Sequence, residues 1–342
     1  MLQVLNQTPF SASLSVFSDA DGVECAYAVV KASFTWSPAG LRLAEQQMPL
    51  IPVDTYWGEP DKTSLRAASE FSLPKPSTDV LLVGHAVAGR NNIRVSEVGL
   101  RVGPLSKTVR VFGNRQWEKT SLGWEFTPPE SWEQMPLRWE YAFGGAAKPI
   151  EGEQPEYEPF NPVGRGFIGT NESHFESRLL PNLEDPSFLI RKPSDRPPPA
   201  CFAPIAPAWL PRRGYAGTYD EAWQKNRAPH LPLDFDLRFF QTAPAGMIAS
   251  GFLRGGEAVE LTGCSTEGPI RFMLPVCTLG LSFEFDGKPI PKQPALEMVL
   301  IEPDEKRVQL LWRSGIKVDK HLLKLREVVV NCPEYPHKRK ES

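Results

Sequence analysis

Ser13-Leu14-Ser15-Val16-Phe17, then Asp21-Gly22, then Cys25-Ala26-Tyr27-Ala28-Val29-Val30 is the stretch on which the fold turns. Its first run alternates small polar and large apolar side chains, the period-2 pattern of a half-buried strand. An Asp-Gly pair takes the positive φ angles of a tight turn at little cost, so the stretch predicts a β-hairpin.

The same texture extends outward. Ala26 to Trp36, Asp79 to Ala86, Ile93 to Val102 and Lys107 to Phe112 read as strands, and Leu137 to Phe143 reads as another, ended by Gly144-Gly145. In that last run four large apolar residues fall on one face, with Arg138 and Glu140 on the other. After Gly255-Gly256 the strand pattern returns in Ala258 to Leu261, Pro269 to Leu274, Thr278 to Phe285, Leu296 to Ile301, Arg307 to Trp312 and Leu323 to Val330.

Between these blocks the chain changes character: 16 of its 35 prolines lie in residues 144–250. An interior proline removes a helical hydrogen bond and clashes with the preceding turn, at about 3 kcal/mol. The segment also carries Phe160, Phe167, Phe202, Trp209, Trp223, Phe235, Phe239 and Phe240, too many aromatics for a free linker. It predicts an ordered excursion packed over a β core. Thr218-Tyr219-Asp220-Glu221 has capping-box spacing for one short helix ended by Pro229, and a second helical turn is predicted near Asp234 or Asp236. The fold expected is therefore mostly β: β-sandwich-like sheets from the N- and C-terminal thirds (1–143 and 251–330), the excursion 144–250 with short helices, and a polar tail 331–342.

The chain of 342 residues carries 38 Lys plus Arg against 41 Asp plus Glu, a net charge of −3. That balance argues against nucleic acid, whose phosphates need clustered excess cations. No uncharged apolar run nears the ~20 residues of a membrane span, and the first residues show no secretory pattern, so no membrane insertion and a cytoplasmic location are expected. Cys25, Cys201, Cys264, Cys277 and Cys332 are odd in number and widely spaced, which reads as reduced, mostly buried thiols.

Signals for chemistry are weak. Gly164-Arg165-Gly166-Phe167-Ile168-Gly169 fits a dinucleotide fingerprint by letter, but no strand-turn-helix context surrounds it. His85, His174, His230, His321 and His337 show no metal-ligand spacing, and His85 at the end of Val80-Leu81-Leu82-Val83-Gly84 reads as a hydrogen-bonded structural histidine. Glu184-Asp185 and the pair Asp234 and Asp236 read as turn and helix-cap residues before they read as a glycosidase pair. No catalytic residue, metal or cofactor is expected. Trp57, flanked by glycine and proline, with Tyr215, Tyr219 and Trp223 in the excursion, are the candidates for partner binding, because exposed aromatics give large contact area at low entropic cost.

Asn6-Gln7-Thr8-Pro9-Phe10, Pro49 to Gly58, Lys75 to Val80, Val111 to Trp117, Met135 to Gly145, Asn161 to Gly166, Leu180 to Pro186, Ala216 to Trp223 and Leu231 to Asp236 are distinctive strings spread over roughly residues 1 to 328. Together they resemble a bacterial family first described as a domain of unknown function, whose members are accessory proteins of type VI secretion systems. The sequence departs from the family pattern at Glu70, at Ala88-Gly89 and at Cys201-Phe202-Ala203-Pro204, where loop shapes are affected. The resemblance implies an adaptor or chaperone that brings a toxic effector to the spike or tip protein in the cytoplasm, with no catalytic residues to carry over. A hydrolase whose triad is invisible in sequence, or a structural piece of the secretion particle, are the alternatives.

Overall fold

The computed structural model describes residues 2–37, 40–89, 91–121, 123–147, 154–169 and 176–336. The polar residues 170–173 after the glycine run, His174 and the end of the tail from 337 onward lie outside the described residues. The protein is mostly β.

The predicted hairpin forms: Ser11–Ser18 pairs antiparallel with Glu24–Ser37, with Ser18 opposite Glu24. Its connection is wider than a two-residue turn. Asp19 organises it, its Oδ1 accepting the N–H groups of Asp21 and Val23 and its carbonyl that of Gly22, which sits at φ +82°. Glu24–Ser37 then runs through the middle of a six-stranded sheet ordered Ser11–Ser18, Glu24–Ser37, Arg307–Lys317, Ala295–Glu302, Asp79–Leu82, with Gly40–Leu43 also on Glu24–Ser37. Because it has a strand on each side and is covered on both faces, every residue from Cys25 to Phe34 is buried.

A five-stranded sheet follows the order Leu183–Glu184, Leu105–Phe112, Val95–Val102, Ala258–Thr262, Ile270–Met273. A four-stranded sheet follows Gln3–Asn6, Leu325–Asn331, Gly280–Phe285, Lys288–Lys292, its first contact parallel. Each of the three sheets mixes strands from before and after the excursion. One hydrophobic core joins them, holding Val29 and Leu310, Val98 and Leu261, Phe283 and Val328, together with Phe202, Trp209 and Met247 of the excursion. Burial of each such side chain is worth about 1.5–3 kcal/mol, which is what holds the proline-rich segment against the sheets.

Three local expectations are corrected. Leu137 to Phe143 is not a strand, since Trp139–Tyr141 forms a 3-10 turn. The buried Trp139 indole N–H donates to the carbonyls of Ala203 (3.1 Å) and Pro204 (2.9 Å), and meeting that acceptor pair from the excursion fixes the turn against its strand-like pattern. Asp79 to Ala86 is two strands, Asp79–Leu82 and His85–Val87, in different sheets. Gly84 is the break, packed so closely on Pro303 that a Cβ there would lie 2.8 Å from the ring. The helix Glu221–Asn226 is capped by Asp220, not by Thr218, because Thr218 is bonded to Asp234.

Candidate partner-binding surface

The part of the excursion that carries Tyr215, Tyr219 and Trp223 is laid over the tip of the first hairpin. The Asp220 carboxylate accepts the Trp223 N–H at 2.7 Å and starts the helix. The indole N–H of Trp223 donates to the His230 carbonyl at 2.9 Å, and the Tyr219 ring meets Trp223 edge-on at 4.7 Å. Arg227 donates to the Leu231 carbonyl and to that of Ala20 in the hairpin connection. His230 stands directly against Gly22, where a Cβ would lie 2.8 Å from Nδ1.

Downstream, Asp234 accepts the Thr218 N–H (2.9 Å) and hydroxyl (2.7 Å), and these bonds hold its carboxyl below the usual carboxylate range. Asp236 caps the 3-10 turn Leu237–Phe240 through the Arg238 N–H and pairs with the Arg238 guanidinium at 2.6 Å, which likewise lowers its pKa. The Arg238 guanidinium lies 4.4 Å from the centre of the Tyr215 ring. Buried Arg212 donates to the carbonyls of Phe239 (2.8 Å) and Ile205 (2.6 Å), tying this turn to the core. The polar side chains thus hold the backbone in place, while Tyr219, Leu233 and Leu237 remain 53%, 88% and 38% exposed.

Trp57 occupies a different element. It follows Thr55–Tyr56, which pairs with Leu65–Ala67. Its N–H donates to the Ser64 carbonyl, and Ser64 donates through N–H and hydroxyl to the Glu140 carboxylate, at 2.7 Å each. Half-buried Trp57 has the Arg138 guanidinium 3.4 Å and that of Arg66 5.0 Å from its ring centre. Tyr219 and Trp223 are therefore brought into contact and Tyr215 shares their segment. Among the described residues no ring contact joins Trp57 to the other three. Leu233 and Leu237 were not legible as surface residues, nor the two arginines as partners of Trp57, because exposure and contact there are set by distant segments.

A model of the family described as uncharacterized protein conserved in bacteria (DUF2169) matches residues 21–313. The chain belongs to this family. The matched span includes both aromatic groups and the whole excursion. Searches of the curated proteins and of the solved structures returned no match.

In this DUF2169 chain the residues singled out for chemistry are held by structural partners. His85 Nδ1 lies 2.7 Å from Asp304, and among the described residues no Ser hydroxyl or Cys thiol hydrogen-bonds to its ring. Glu184 is buried against Arg115, and burial pushes its pKa up. Asp185 closes a turn by accepting the Ser187 N–H. Asp234 and Asp236 are the caps described above. The glycine run serves a close backbone approach, since a Cβ on Gly145 would meet the Gly164 carbonyl at 2.3 Å. The five cysteines are free; Cys277 is partly accessible and the rest are buried, with desolvation pushing the Cys201 thiol up to about 12. No group of His, Cys, Asp and Glu able to hold a metal occurs among the described residues.

A buried ionic chain joins segments far apart in the sequence. Lys31 pairs with Glu70 (2.7 Å), Arg313 donates to the Glu70 carbonyl and to the Glu297 carboxylate (2.8 Å), Glu297 accepts the Lys75 N–H, and Lys75 pairs with Asp79 (2.5 Å). Asp79 also accepts the Thr242 N–H from the excursion. Glu70, Lys75, Thr242 and Arg313 line a cavity of about 30 Å³. Desolvation raises the pKa of Glu70 and Glu297 and lowers that of Lys31, against the attraction of their partners. Charges so placed stabilise little in total, because the cost of desolvating them offsets their attraction.

Proposed function

We propose that this protein is a non-enzymatic adaptor that binds a type VI secretion effector and helps load it onto the spike complex in the cytoplasm. The observation that carries the reading is the excursion surface: Tyr219, Leu233 and Leu237 exposed on a backbone fixed by Asp220, Asp234, Asp236 and Arg227. Large apolar side chains held in place before binding lose little entropy on contact, and such anchors dominate interface energies. The segments that resemble type VI accessory proteins include Ala216 to Trp223 and Leu231 to Asp236, which build this surface. Co-expression with the products of neighbouring genes, followed by purification through this chain, tests the reading. A co-purifying effector supports it; an effector that stays unbound while the chain remains folded and monomeric counts against it.

A further inference from the structure

The platform around Trp57 is built differently from the excursion surface. Among the described arginines whose side chains donate no hydrogen bond, Arg138 alone is half-buried; the others are exposed. Removing a guanidinium partly from water without an acceptor is unfavourable, and the Trp57 face 3.4 Å away offsets only part of that. A guanidinium above a ring uses its face for the contact and keeps its N–H donors free along its edge. Arg66 adds a second, exposed set of donors over the same ring, 5.0 Å from its centre.

The carboxylates nearby do not fill this need. Glu140 is occupied by the N–H and hydroxyl of Ser64, Asp54 accepts the Ser69 N–H, and Glu59 pairs with Lys62. The platform is rigid as well, since the bonds from Ser64 tie the Trp57 loop to the same turn that follows Arg138.

We infer that Trp57, Arg66 and Arg138 form a docking site for an acidic, extended segment of a protein partner, its carboxylates taken by the two guanidiniums beside the indole ring. Resting on the reading of the chain as a partner-binding adaptor, this assigns the partner's chemistry at a surface separate from Tyr219, Leu233 and Leu237. Carboxylates fit better than a nucleic-acid backbone, because Arg66 and Arg138 are only two cations around one ring, enough for two carboxylates but not for the many phosphate contacts that hold a nucleic acid.

A fluorescently labelled deca-glutamate peptide, titrated into the full chain at low and moderate salt, is the direct probe. The peptide binds the wild type, binding weakens with salt, and Arg66→Gln with Arg138→Gln weakens it about tenfold or more, as expected for the loss of charge-assisted hydrogen bonds. Exposed Arg66→Gln alone weakens it with an unchanged melting temperature, which keeps the test valid if the double variant is unstable. Equal affinity of wild type and Arg66→Gln for the peptide, or equally tight binding of a single-stranded oligodeoxynucleotide, overturns the inference. The adaptor reading is judged separately: co-purification of an effector that survives both substitutions unchanged rejects the acidic dock and leaves the adaptor role, whereas failure of the wild type to capture any effector rejects the role and leaves the peptide titration to decide the dock.

Discussion

At the scale of single residues, the arrangement rests on contacts between positions far apart in the chain. Thr278 donates through its hydroxyl and N–H to the Glu334 carboxylate, joined by the Cys332 thiol, and this lowers the Glu334 pKa from 4.5 to about 2. A depressed folded-state value means stability that is present above about pH 4.5 and is lost as pH falls toward 2. Thr278→Val should move the Glu334 titration, followed by carbon NMR of the side chain, back toward 4.5, and should flatten the acid limb of the stability profile. A Glu334 titration that stays near 2 in the variant would contradict the assignment. Nothing local in the sequence marks this bond, because its two ends are 56 residues apart. The same reason hid the partners of Trp57: periodicity shows which face of an element is apolar, but not which arginine from another element will cover it.

At the scale of elements, the strands were legible wherever period 2 or an apolar run was long, as in Glu24–Ser37, Val95–Val102 and Ala295–Glu302. Local reading failed where a long-range bond overrode it. Trp139 left its strand pattern for two carbonyls of the excursion, and Thr218 bonds Asp234 while Asp220 takes the cap position. The hairpin tip is where element and excursion meet, and Gly22 controls both. It holds φ +82°, and a methyl there would strike His230. Gly22→Ala should therefore cost about 1 kcal/mol or more from backbone strain and also loosen the excursion from the tip. Limited proteolysis should show new cleavage near Arg227 and His230 while the sheets stay protected. Cleavage unchanged from wild type would mean that the excursion does not depend on this contact.

At the scale of the whole molecule, composition and proline count were enough to give a mostly β fold. They did not show that each large sheet would draw strands from both sides of the excursion, because strand pairing is a long-range choice that no local pattern records. The buried ionic chain from Lys31 to Asp79 spans that choice, linking the first hairpin, the 70–79 loop, the strands Ala295–Glu302 and Arg307–Lys317, and Thr242 of the excursion. Arg313→Met should cost about 3–5 kcal/mol by leaving Glu297 buried and unpaired, and adding Glu297→Leu should recover much of it. Denaturant unfolding measures both; a single variant as stable as wild type would show that the pair is not desolvated in solution.

Capture of an effector by the excursion, through side chains that the fold leaves exposed, is what the proposed adaptor role requires. Its most direct test is co-purification of the proposed effector with wild-type chain and with a Tyr219→Ala, Leu233→Ala, Leu237→Ala triple variant, each checked for melting temperature. The variant should melt close to wild type, since all three side chains are exposed, and should lose about 2 kcal/mol or more of binding energy for the effector. A stable triple variant that retains the effector at wild-type stoichiometry and affinity would contradict it.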